Sequence, residues 1–74
     1  MKKIFLLKNH QRRLLQGHQW VYSNEIDIKR SPLKDFTPGE FAQVFDAQGQ
    51  VLGVAYVNPH SLISARMLTR AESL

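Results

Sequence analysis

The feature that most constrains this chain is a pair of apolar, β-rich runs, residues 41–46 and 51–57, separated only by Ala47-Gln48-Gly49-Gln50. A reversal that short requires antiparallel pairing, and Gly49 supplies the positive φ that a three- or four-residue hairpin loop needs. Apolar residues fall at both parities: Ala42 and Val44 beside Phe41 and Phe45, then Leu52, Val54 and Tyr56 beside Val51, Ala55 and Val57. A hairpin solvated on one face would alternate cleanly. This one is therefore expected to be covered on both faces, as in a barrel with something packed outside it. Gly53, inside the second strand, marks a bulge or a close backbone approach.

The rest of the chain must build on that hairpin with little material. At 74 residues, a domain buries only about 60% of the surface its unfolded chain exposes. It has no cysteine, which removes disulfide staples, zinc ribbons and thiol chemistry. A hydrophobic content of 43% with 22% charged residues is nonetheless that of a folded globular domain. Ile4 to Leu7 reads as a strand; its apolar run stops at Lys8, too short for a signal-peptide core. Asn9 is a candidate N-cap for a brief helix through Leu15, ended by Gly17, with Leu14 and Leu15 facing the core and Arg12, Arg13 and Gln16 in solvent. Lys29 to Gly39 holds two prolines and three cations and reads as an exposed loop. Asn58-Pro59-His60-Ser61 forms a turn, and Leu62 to Leu68 resumes as a strand in which Ser64 and Arg66 alternate with Ile63, Ala65 and Met67. The expectation is a β-rich α+β domain over residues 1–70, with four or five strands and one or two short helices. Residues 71–74 read as a tail or the start of a linker. No segment approaches the length of a membrane-spanning helix, and the expected location is the cytoplasm.

Charge is unevenly divided. Residues 1–34 carry eight cations against Glu25 and Asp27, a balance of +6, whereas residues 35–74 carry Arg66 and Arg70 against four acids, a balance of −2. A basic half is the footprint of a polyanionic partner, because each Lys or Arg that meets a phosphate releases condensed counterions. A merely soluble surface is the competing reading.

Several short motifs occur in order along the chain: Lys8, Arg12-Arg13, Gly17-His18-Gln19-Trp20-Val21-Tyr22-Ser23-Asn24-Glu25-Ile26, Gly39-Glu40, Val44-Phe45-Asp46, Gly49, Leu52-Gly53, Tyr56, Asn58-Pro59-His60-Ser61 and Arg66-Met67-Leu68. Together they resemble the N-terminal PUA-type domain of bacterial S-adenosylmethionine-dependent ribosomal RNA cytosine-5 methyltransferases. The resemblance implies a PUA-like pseudo-barrel of mixed strands that helps its enzyme grip structured RNA, with catalysis in a following Rossmann-type domain. Nothing in these residues supplies that chemistry. There is no glycine-rich loop between a strand and a helix and no cysteine nucleophile, so no cofactor and no catalytic residue is expected on this chain.

The candidate RNA-binding residues are Lys8, Arg12, Arg13, His18, Lys29, Arg30 and Arg66. Each has a plainer use. Arg12 and Arg13 could be a solvated helix face. His18 could hydrogen-bond a backbone group and so lock the turn after Gly17. Arg66 could pair with an acid such as Asp46 or Glu25. Trp20 is expected as a core anchor because an indole buries so much area, with stacking on an unpaired base as its alternative. Asn58 and Ser61 are expected to close their turn by side-chain hydrogen bonds. His10, His18 and His60 match no zinc spacing, and no metal is expected. Two functions compete: an RNA-binding accessory module for a methyltransferase, and a protein-docking module that packs on a catalytic domain or a second subunit. Docking predicts an exposed apolar patch, for which Leu33, Phe36, Tyr22 and Leu74 are candidates.

Overall fold

The computed structural model describes residues 1–72. Its elements are β1 (Lys2–Phe5), α1 (Arg12–Leu15), β2 (Trp20–Tyr22), β3 (Glu40–Phe45), β4 (Val51–Val57) and β5 (Ile63–Thr69), with single 3-10 turns at Ser23–Glu25 and Leu33–Asp35. Five strands form one mixed sheet in the order β1-β3-β4-β5-β2. The expected hairpin is β3–β4, antiparallel from Glu40↔Val57 to Phe45↔Val51. In its loop the Gly49 amide donates to Asp46 O at 3.0 Å with φ at 91°. β1 pairs β3 in parallel; β5 pairs β4 and β2 antiparallel.

The sheet curls until its ends meet. Leu6, just past β1, bridges Ile26, just past β2. The Leu7 amide donates to Glu25 O at 2.9 Å and the Asp27 amide to Phe5 O at 2.8 Å. Those bonds occupy both edges where they would otherwise be open, and the result is the pseudo-barrel expected of the sequence. Inside it Ile4, Leu6, Val21, Ile26, Ala42, Val44, Ala55, Val57, Ala65 and Met67 make one core, plugged by Leu14 from α1 and by Phe36.

Gly53 is both things expected of it. Val44 pairs Gly53 while Phe45 pairs Val51, so Leu52 is an extra residue in the ladder. A Cβ on Gly53 would meet Thr69 O at 2.1 Å and Arg70 Cα at 3.0 Å. The end of β5 runs directly over this position.

Several expectations are corrected. Asn9 does not cap the helix: it has φ of 70° and sits in a turn closed by the His10 amide on Leu7 O at 3.0 Å. Such a turn places positive φ at its third residue, which Asn tolerates. Four residues of helix present only one inward position, so Leu14 is buried at 3% exposure and Leu15 lies out at 69%. Trp20 is not in the core. It opens a three-residue edge strand whose inward position belongs to Val21, and it is 45% exposed. Ser64 does not alternate outward. Val21 pairs Ala65 and Tyr22 pairs Ile63, which makes Ser64 the bulged residue, fully buried with its hydroxyl donating to Ser61 O at 2.9 Å. The 29–39 segment is only partly exposed: Ser31 and Phe36 are buried. The outer face of the hairpin is only partly covered, since Phe45 stacks on Phe5 whereas Phe41 remains 47% exposed.

Candidate nucleic-acid interface

Helix α1 is too short to be stable by itself, and a local main-chain stop and the Arg13–Glu25 contact hold it in place. At its C-terminus the Gly17 amide donates to Leu14 O at 3.1 Å and the His18 amide to Arg13 O at 3.0 Å. With Gly17 at φ 102°, this is the paired bonding of a Schellman stop. His18 thus locks the turn with its main chain, and its carbonyl accepts a 2.8 Å bond from Arg70 Nη2. The Asn58–Ser61 turn is closed by the Ser61 amide on Asn58 O at 3.2 Å, and Ser61 Oγ accepts from the Ile63 amide at 3.2 Å.

Arg12 and Arg13, adjacent in sequence, have different tasks. Arg13 Nη2 lies 2.6 Å from Glu25 Oε1, and its guanidinium sits 4.8 Å from the Tyr22 ring centre. Glu25 is nearly buried; its Oε1 also accepts from the Tyr22 amide at 3.0 Å, and His10 Nδ1 is 3.5 Å from Oε2. Burial pushes the Glu25 carboxyl up, but the Arg13 bond, the Tyr22 amide and His10 outweigh it and hold the group below its usual range. Glu25 in turn raises Arg13. Arg13 therefore joins α1 to the turn after β2, while Arg12 is exposed and makes no ion pair among the described residues. Of the two uses open to Arg66, an ion pair with Glu25 or Asp46 is absent among those residues.

Lys3, Lys8, Lys29 and Arg30 sit along the seam that closes the barrel. Lys8 is exposed in the Leu7–His10 turn. The Lys29 and Arg30 amides both donate to Asp27 Oδ1, at 3.1 and 3.4 Å, a side-chain-closed turn that spends the carboxylate on backbone and leaves both side chains outward. The Arg30 guanidinium lies 3.7 Å from the Phe5 ring centre, Phe5 stacks on Phe45 at 5.1 Å, and Lys3 Nζ is 5.5 Å from the Phe45 ring. This cation–aromatic column was not legible in the sequence as a site. Its signal was the alternation of Lys3 and Phe5 on one outward face of β1.

Three shallow clefts follow the seam. One of about 390 Å³ is lined by Asn9, His10, Arg12, Arg13, Asn24 and Glu25. Asn24 also lines the next, of about 510 Å³, with Leu7, Ile28 and Lys29. Arg30 then opens a third, also about 510 Å³, with Lys2, Lys3, Phe5 and Phe36. Six of the seven predicted residues divide as follows: Lys8, Arg12, Arg13, Lys29 and Arg30 lie along this seam, and Arg66 stands apart on β5, opposite Trp20 and 5.6 Å from its ring. The seventh, His18, lies beyond α1. Among the described residues no His, Cys, Asp or Glu group is placed to hold a metal.

Comparison with known proteins agrees with this architecture. The chain is 36% identical over 68 residues to the ribosomal RNA large subunit methyltransferase I of Serratia proteamaculans, covering 90% of this chain and 16% of that one. The enzymes of the same name from Yersinia pseudotuberculosis and Cronobacter sakazakii are 31% and 33% identical over 67 residues, with the same coverage. The chain thus spans about a sixth of the length of the curated relatives it matches. The crystal structure of SMU.776 complexed with SAH superposes with a TM-score of 0.71 at 15% identity, over 96% of this chain and 17% of that one. A family model described as a PUA-like domain matches residues 4–70, and the chain belongs to that family.

Proposed function

We propose that this domain is an RNA-binding accessory module that positions structured ribosomal RNA for an S-adenosylmethionine-dependent methyltransferase domain in the same polypeptide, in the cytoplasm. The observation that carries the reading is the succession of three shallow clefts along the barrel seam, with Arg12, Lys29, Arg30, Lys2 and Lys3 in their linings and Lys8 exposed in the turn beside them. Two of the carboxylates beside it, Glu25 and Asp27, are engaged by Arg13 and by backbone amides. Lys3, Lys8, Arg12 and Lys29, whose side chains make no ion pair or hydrogen bond among the described residues, can therefore meet phosphates, whereas Lys2 is paired with Glu40 and Arg30 donates to Ala47 O. A band of spaced charges over shallow clefts suits recognition of an RNA helix by backbone shape. The relatives are ribosomal RNA methyltransferases by name, and the cytosine-5 chemistry is what the family resemblance implies.

The described residues do not fit S-adenosylmethionine. Gly17, Gly39, Gly49 and Gly53 lie in a helix stop, turns and a strand, and none opens a helix after a strand, where a nucleotide-type cofactor would be cradled. Catalysis on this reading belongs to another domain. The protein-docking alternative loses its predicted patch, because Phe36 is buried, Leu33 packs against the core and Tyr22 lies under Arg13; Leu74 lies outside the described residues. A different cleft, of about 470 Å³ with Leu14, Leu15, Val51 and Leu52 in its lining, keeps that alternative in view.

The test is the triple variant Lys8→Ala, Arg12→Ala, Lys29→Ala, whose side chains make no ion pair or hydrogen bond among the described residues. Binding of a ribosomal RNA hairpin is measured from 50 to 300 mM salt. The expected result is weaker binding and a log–log salt slope shallower by about 2 to 3. Unchanged slope and affinity would remove the seam from the footprint.

A further inference from the structure

Four outward side chains on adjacent strands lie in one row across the sheet. Phe41 on β3 pairs Tyr56 on β4, Tyr56 pairs Arg66 on β5, and Arg66 pairs Trp20 on β2. Directly paired residues share a face, and four strands set the row's length at about 14 Å. Phe41 and Trp20 are each nearly half exposed, and Arg66 lies 5.6 Å from the indole. Burial of apolar area does not explain the row, since an edge tryptophan on a thin barrel would be better placed inward, where Val21 stands.

Beside the row is a cavity of about 200 Å³ lined by Tyr56, Asn58, Ser61, Ile63 and Arg66. Its lining offers a phenol, an amide, a hydroxyl and a guanidinium, and no carboxylate. The Asn58–Ser61 turn is closed by the Ser61 amide on Asn58 O, and the Ile63 amide fixes the Ser61 hydroxyl at the cavity. Flat aromatic faces interrupted by one guanidinium, next to a small donor-and-acceptor cavity without negative charge, match an unpaired nucleobase: stacking takes the ring and the cavity takes its polar edge.

We propose that the Phe41–Tyr56–Arg66–Trp20 row is a stacking platform for unpaired bases of RNA, with Asn58 and Ser61 reading the edge of one of them. This rests on the RNA-binding reading but uses a surface separate from the phosphate-facing seam. The domain would then grip a helix by its seam and an adjoining unpaired nucleotide by its sheet.

Trp20 is the sole tryptophan, so its fluorescence reports on the platform directly. Three probes are titrated at near-physiological salt: hexa-adenylate RNA, the same hexamer with abasic sugars, and a blunt RNA duplex, with anisotropy of a label on the RNA recording binding independently. Hexa-adenylate is expected to quench Trp20 and the abasic hexamer to leave it unchanged. Trp20→Ala should weaken hexa-adenylate binding about tenfold and leave duplex binding intact, and Arg66→Gln should weaken it in the same selective way. Equal quenching by abasic and base-bearing RNA, or equal weakening of hexamer and duplex in the variants, would overturn the platform while leaving the seam standing. Emission that shifts with protein concentration alone would assign the row to a second copy of the chain and overturn it too. If none of the three RNAs binds, the RNA reading fails and the platform with it.

Discussion

Replacing Gly53 by Ala should remove a large part of this domain's stability, and the structure says how much. The residue has φ of 146°, and an added Cβ would stand 2.1 Å from Thr69 O, 2.7 Å from Met67 Cε and 3.0 Å from Arg70 Cα. The methionine end can swing away, but the other two atoms are backbone of the strand that crosses here. Positive φ in a side-chain-bearing residue costs about 1–3 kcal/mol, and forcing a methyl group into packed surroundings costs about 1–3 kcal/mol more. The sum is about 2–6 kcal/mol, against a total stability for 74 residues of about 4–11 kcal/mol. Gly49→Ala is the control. It also has positive φ, 91°, but nothing lies within 4 Å of its Cβ, so it should lose only the conformational part. Urea unfolding followed by far-ultraviolet circular dichroism measures both. If the two variants fall within about 0.5 kcal/mol of each other, the close approach of β5 over β4 is not what fixes a glycine at position 53.

Further outcomes follow from the buried polar contacts. Ser31 is 2% exposed and its hydroxyl accepts the Phe5 amide at 2.8 Å; Ser31→Ala should cost about 1–3 kcal/mol in the same assay, with protection of the Phe5 amide from hydrogen exchange reduced. Because Glu25 titrates lower in the folded state than its reference of 4.5, its stabilisation is complete above that value and is lost as pH falls through the lower folded one. Glu25→Gln should flatten the acid limb of the stability profile below about pH 4.5, and an unaltered limb would mean that the Arg13 contact is not maintained in solution. In the Glu25→Gln protein the His18 amide, which holds the C-terminal stop of α1, should exchange faster than in the parent. That would show the ion pair acting on the helix.

What could be read in advance depended on whether a residue's partner was close in sequence. The β3–β4 hairpin and the Gly17 stop are local, and spacing and residue type sufficed for both. Ser64 was misplaced because its bulge is set by the register against β2, more than forty residues away. Trp20 was misplaced because size argued for burial, whereas position on an edge strand, which only sheet order reveals, decided against it. Leu15 could not share the core with Leu14 once the helix shrank to one turn. Of the candidate site, the cations of the seam were visible as a basic half. Their separation into Arg13, tied to Glu25, and Arg12, left free, was not, since the two arginines look identical in sequence.

The way the barrel is closed also governs when it can exist. β1 pairs with β3, placing Ile4 beside Val44, and β2 pairs with β5, placing Val21 beside Ala65. During synthesis, then, the first two strands leave the ribosome with no partner, and only the β3–β4 hairpin can form early. The sheet is incomplete until residues near Thr69 have emerged, although the seam contacts themselves join residues within the first 27, Leu6 with Ile26 and Phe5 with Asp27. A nascent chain of this kind holds its cations and its apolar strands on an open, unpaired segment for most of its production, and folding awaits non-local closures that are intrinsically slow. The residues proposed to grip RNA are thus made first, and the sheet that braces them is finished last.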